Sequence, residues 1–170
     1  MKRHVIFGVA LGLLVAGGCK PKGKDIPTLT RKEAATLVGD ADFAVTLRDL
    51  AKAEGLYAKA VELCPDTGEY WLSLGTTRAR LKQRDGAKKA YQGALAAFEA
   101  VAKDPKNAKD SGPALQQVYV LALLGRVDDA RALVEKTKKA FPGDINVRKF
   151  VEGRQLDAML ASPMFKEVGL

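Results

Sequence analysis

Apolar residues recur at threes and fours along most of this chain. The longest stripe, Phe43, Leu47, Leu50, Ala53, Leu56, Tyr57, Ala60 and Val61, has the spacing of one buried helix face. Cys64 and Pro65 end it, since proline cannot continue a helix. Upstream, Thr30-Arg31-Lys32-Glu33 has the form of a capping box. It predicts a short helix running to about Val38, and Gly39-Asp40 predicts a break. Downstream, Phe98 and Val101 extend a further helix toward Pro105, residues 106–112 read as a loop, and Pro113 opens the next helix. Beyond Pro142, Asp144 is placed to cap a final helix carrying Val147, Phe150, Val151 and Leu156, which would cover the open end of the domain. Ser162-Pro163-Met164-Phe165 reads as a short closing segment that folds back. Runs of β-branched residues are scarce and aromatics make up only 6%, so the expected class is all-α.

The first residues follow a different pattern. Lys2 and Arg3 precede an apolar stretch from Val5 to Ala16, closed by Gly17-Gly18-Cys19, which is the arrangement of a secretion signal. That stretch is shorter than the roughly 20 residues a membrane-spanning helix needs. Residues 1–18 are therefore expected to be removed. The segment Leu14 to Cys19 resembles the lipobox of bacterial lipoproteins, in which small residues precede a Cys that becomes acylated after cleavage. The resemblance implies lipidation of Cys19 and a membrane anchor through it. Gly17 and Gly18 also suit an ordinary signal peptidase, which would leave a soluble chain whose Cys19 is free, even to pair with Cys64 in an oxidising compartment. Residues 19–29, with three Lys and two Pro, read as a flexible tether, and residues 30–170 as the folded domain. Lys20, in place of Asp after the Cys, implies by the same resemblance the periplasmic face of the outer membrane.

Within the folded part the pattern repeats. Ala53, Tyr57 and Ala60 recur as Ala87, Tyr91 and Ala94, displaced by 34 residues, a period that marks stacked repeat architectures. Trp71, Leu74 and Gly75 lie between the copies, and Pro65 closes the first. Here the chain resembles the tetratricopeptide repeat (TPR). The resemblance implies an antiparallel helix-pair solenoid of about three repeats with a C-terminal capping helix. Leu124-Gly125, Ala130 and Phe141-Pro142 mark the third unit, with Val134 at the aromatic position. The small residues at these positions let helices approach closely while Trp71, Leu74 and Tyr91 fill the space around the crossing. About nine extra residues separate the second and third units. The first unit lacks a Trp or Leu-Gly half, so its first helix is expected to be short or irregular.

Charge and chemistry narrow the function. The formal charge is +8, spread along helices among Asp and Glu, which describes solvated faces and not a nucleic-acid stripe. His4, the single histidine, lies in the predicted signal, leaving no imidazole for base catalysis or metal binding. Cys64 reads as a packed structural thiol. Asp128-Asp129 read as acids that cap a helix and complement its dipole, and Glu99 and Glu135 as isolated acids. No phosphate loop or calcium loop is present in the sequence. No catalytic residue, metal or other cofactor is expected.

The family resemblance also implies a ligand groove lined by the first helix of each unit. Its positions map to Glu69, Leu72, Thr76, Ala79 and Arg80 in the second unit, and to Gly112, Leu115, Tyr119, Ala122 and Leu123 in the third. Leu72 and Thr76 stand where receptors of chaperone tails carry Lys and Asn, which disfavours that ligand. The implied occupant is a protein or peptide partner in the cell envelope, with Arg80 able to hold a carboxylate. The packing of Leu72, Leu115 and Tyr119 against neighbouring helices is the competing reading. Two functions fit: an assembly or scaffold lipoprotein of the envelope, or a lipid-anchored accessory subunit of an envelope enzyme such as one acting on peptidoglycan.

Overall fold

The computed structural model describes residues 25–170, and the signal and Cys19 lie outside them. Three helical hairpins follow one another. Helix α1 (Thr28–Thr46) pairs with α2 (Leu50–Leu63), α3 (Gly68–Arg80) with α4 (Arg84–Lys103), and α5 (Gly112–Leu123) with α6 (Val127–Ala140). Each hairpin closes in three residues, which forces its helices to run antiparallel. Each helix also packs on the next in sequence, α2 on α3 and α4 on α5, giving the all-α helix-pair solenoid that the repeat implies.

The three hairpin turns are copies of one another. Arg48 (φ 61°), Lys82 (φ 64°) and Gly125 (φ 73°) each occupy the left-handed conformation. In every case the next residue's N–H reaches back five positions: Asp49 to the Ala44 carbonyl, Gln83 to Arg78 and Arg126 to Leu121, each at 2.9 Å. This arrangement satisfies carbonyls orphaned at a helix end. Gly125 therefore serves the turn. It does not occupy the helix-crossing position assigned to it from the repeat pattern, which in the third unit is held by the buried Val118.

The first unit departs furthest from expectation. Its helix α1 is long, and it runs straight through Gly39-Asp40. Thr30 lies inside the helix, which starts after Pro27 without any side-chain cap, so the capping box does not form. The reason is the small-residue face of α1. Ala34, Ala41 and Ala44 are all buried and maintain the helical stripe across Gly39, a position with nothing near it. Conversely, Phe43 and Leu47, read as buried, are both 64% exposed. Phe43, on α1, and Leu47, one residue past its end, lie off the face that carries Ala34, Ala41 and Ala44. The break falls at Arg48, and Asp49 caps α2 by accepting from the Lys52 amide at 3.1 Å.

The extra residues of the middle unit lengthen α4 and its exit. A 3₁₀ turn at Pro105–Asn107 follows α4, and Asn107 Nδ2 donates to the Val101 carbonyl (3.1 Å). Asp128 and Asp129 lie in the first turn of α6, past its Arg126 cap, where they complement the helix dipole without capping it. The open end is covered by three short helices: α7 (Ile145–Glu152), α8 (Gln155–Ala161) and α9 (Pro163–Val168). The expected single helix is broken at Gly153 and Arg154, the latter at φ 46°. Asp144 caps α7 as expected, accepting from the Asn146 and Val147 amides, while the Ser111 hydroxyl donates to its other oxygen at 2.8 Å. Among the described residues no helix is long and apolar enough to cross a membrane.

Candidate functional site

The groove begins with the contact between α3 and α4. Three aromatic rings lie against three glycines: Tyr91 over Gly75, Trp71 over Gly93, and Phe98 over Gly68. A methyl group at Gly93 or Gly68 would sit 2.6 or 2.7 Å from the facing ring, and one at Gly75 would lie closer still. The glycines thus set how deeply the rings enter. Trp71 also donates its indole N–H to the Pro65 carbonyl (2.8 Å), tying the unit to the end of the preceding one. Ala53, Tyr57, Ala60, Ala87, Ala94 and Ala130 are buried at the equivalent crossings, with Leu74 beside them. In the first unit Ala41 stands one repeat before Gly75, and the Tyr57 hydroxyl donates to Asp42. Pro65 and Pro142 lie exposed in the turns that follow α2 and α6.

Because its ring fills the space left by Gly75, the Tyr91 hydroxyl reaches the far side of α3. There it donates to the Val168 carbonyl of α9 at 2.8 Å. Helix α9 has folded back onto α3, and its side chains join the larger core. Phe165 meets Tyr119 edge-on, with ring centres 6.2 Å apart, and Val168 is fully enclosed. The Leu170 amide donates to the Leu123 carbonyl (2.9 Å) at the end of α5, and Glu167 lies 4.0 Å from Arg80. The burial that encloses these rings pushes the Tyr91 phenol well above the usual tyrosine range and raises that of Tyr119.

The residues assigned to the groove from the sequence divide into two ends. At one end, Arg80 and Tyr119 contact α9, and Ala79, Ala122 and Leu123 are buried in the same core. At the other end, Glu69 is exposed in the first turn of α3, and together with Gly112 at the start of α5 it lines a crevice that also includes Arg31, Asp66 and Gln116. Between them, Leu72 is half-buried against the core, Leu115 is half-buried on α5, and the Thr76 hydroxyl donates to the Ser73 carbonyl (3.0 Å). Arg31 makes a two-pronged pair with Asp66 (2.6 and 3.2 Å), which holds that carboxyl below its usual range.

Phe165, Glu167, Val168, Leu170 and the hydroxyl of Tyr91 were not assigned to the groove from the sequence. The fold-back of Ser162 to Phe165 was legible in the Ser-Pro start, whose Ser162 hydroxyl does accept from the Phe165 amide. Its destination had no local signal. Among the described residues no group of three His, Cys, Asp or Glu side chains is placed to hold a metal, and the Cys64 thiol is buried, which pushes its ionisation upward.

No family model matches the chain, and no curated protein matches it. Among solved structures it is similar to the first TPR of Spaghetti (RPAP3), described as bound to the HSP90 peptide SRMEEVD. That match has 17% identity and a TM-score of 0.46, covering 78% of this chain and 96% of the other.

Proposed function

We propose that this chain is a cell-envelope lipoprotein, anchored through an acylated Cys19 at the periplasmic face of the outer membrane, that acts as a protein-interaction scaffold and not as an enzyme. The groove between α3 and α5 is its binding surface. One observation carries the reading: this surface already holds a helix, α9, through two apolar anchors, one hydrogen bond to its backbone and a second to Leu170 just past its end. Backbone recognition together with a pocket for an aromatic residue is the chemistry by which grooves hold peptide segments of a partner. The tether and its lysines would keep the domain close to anionic headgroups.

Cross-linking the full chain in envelope membranes, followed by affinity purification and mass spectrometry, tests both halves of the proposal. The expected result is a diacylglyceryl-modified Cys19 peptide and a reproducible envelope protein, the latter lost with Arg80→Glu combined with Tyr119→Ala. An unmodified chain without partners would overturn the proposal. A partner retained by that double variant would remove the groove from it.

A further inference from the structure

We infer that α9 is a ligand held in cis, which closes the groove until a partner helix of matching chemistry displaces it. This rests on the scaffold reading above and adds to it both a gate and a description of the partner. At six residues α9 is far too short to be helical on its own. Its helicity comes from docking. Only Phe165 and Val168 are buried in it; Met164 is 62% exposed, and Lys166 and Glu167 face solvent. A single extended residue, Ser162, joins it to α8, and the left-handed Arg154 stands at the joint before that. The α3–α4 and α4–α5 contacts on which the stack depends do not pass through α9. The segment therefore has two buried side chains, two joints and a support whose main helix–helix contacts lie elsewhere, which are the conditions for local opening below the cost of global unfolding.

The contacts of α9 define what can replace it. A competing segment needs an aromatic residue for the edge of Tyr119 and a β-branched or aliphatic residue three positions later for the site of Val168. It needs an acidic residue immediately before the latter, facing Arg80. Its backbone must also present a carbonyl to Tyr91, whose buried hydroxyl otherwise loses its acceptor. The occupant is thus a short amphipathic helix with the pattern aromatic, any residue, acidic, aliphatic.

The probe is a fluorescein-labelled peptide spanning residues 161–170 of this chain, titrated by anisotropy against the full chain in detergent. Wild type is expected to bind it poorly, because its groove is filled. Releasing α9 with Phe165→Ala and Val168→Asp is expected to tighten peptide binding by at least about tenfold, the factor by which self-occupancy reduces apparent affinity. Tyr91→Phe in the released background should weaken it again. If the released chain keeps its helical circular dichroism and takes up the peptide no better than wild type, the gate is wrong.

Two measurements hold should the released variant not fold. Hydrogen exchange on wild type should show the amides of residues 165–170 opening at least about a hundredfold more often than those of α4; exchange of both only by global unfolding overturns the gate. Glu167→Arg, at an exposed position, should raise peptide affinity up to about fivefold, reversed by adding Arg80→Glu; no change in either variant counts against the acidic position of the pattern. The two readings fail separately. Peptide uptake by the released chain without any envelope partner removes the scaffold and keeps the gate, whereas equal partner capture by wild type and released chain does the reverse.

Discussion

At the scale of single residues, the close approach of α3 and α4 depends on atoms that are missing. Gly75 leaves the space that the Tyr91 ring occupies, and the phenol hydroxyl is thereby carried through to α9. Gly75→Ala should destabilise the chain by about 1–3 kcal/mol, the usual cost of overpacking, read from the urea midpoint, and should also expose α9 to exchange. The hairpin turns give a residue-scale effect of opposite sign. Lys82 pays the steric cost of a left-handed backbone at a position where the third repeat has Gly125. Lys82→Gly should stabilise the chain by about 0.5–1 kcal/mol after allowing for the greater freedom of glycine when unfolded. Gly125→Ala should destabilise it, and more so because the added methyl would lie 3.2 Å from the Leu170 carbonyl oxygen. Thermal melts of the two variants would show whether these two turns are energetically alike.

At the scale of elements, the difference between a motif and a formed structure is clearest at the helix starts. Thr30 and Glu33 have the right types and spacing for a capping box, yet α1 begins two residues before Thr30 and uses neither. Asp49, which no pattern singled out, does cap α2. Asp49→Ala should cost about 1 kcal/mol, while Thr30→Ala should lie within about 0.5 kcal/mol of wild type, both measurable by chemical denaturation. Large apolar residues dominate a periodicity, and in α1 they do not mark the buried face. Phe43 and Leu47 have the size of core residues, but the fully buried positions of α1 are Ala34, Ala41 and Ala44, with Leu37, Val38 and Val45 only partly buried beside them. Small residues carry this interface because close approach, not side-chain volume, is what the hairpin needs.

At the scale of the whole molecule, ion pairs and caps link successive elements. Arg31 meets Asp66 across the first hairpin, Arg131 meets Asp157 between α6 and α8, and Asp144 joins Ser111 to the start of α7. The first two carboxyls are held below their usual range by the facing guanidinium groups, and Asp144 by backbone amides and the Ser111 hydroxyl. A depressed folded-state pKa gives stability that is present above the unfolded value and is lost as pH falls through the folded one. Tyr57, Tyr70, Tyr91 and Tyr119 are shifted upward, chiefly by burial, so their contribution is present below the unfolded value and lost as pH rises beyond it. With no histidine after His4 but a buried Cys64 thiol whose ionisation is pushed upward, stability should be flat from about pH 5 to pH 8 and fall below about pH 4 and above about pH 8.5, as first Cys64 and then the tyrosines ionise on unfolding. A urea-midpoint series across pH tests this, and a step near pH 6.5 would contradict it.

What the sequence determined by itself is the periodic part of the molecule. The helix class, the repeat of alanine, tyrosine and alanine, the end of α4 before Pro105 and the Asp144 cap are all written in contacts between residues a few positions apart, or in the recurrence of one local pattern. What only the tertiary structure decided is where nonlocal surfaces meet: that α1 passes through Gly39, that Gly125 belongs to a turn, and that the groove is closed by α9. Tyr91 and Val168 lie 77 positions apart, and no spacing rule connects them. Their contact depends on the stack first bringing α3 and α5 side by side, which creates the groove in which a helix too short to form alone can form.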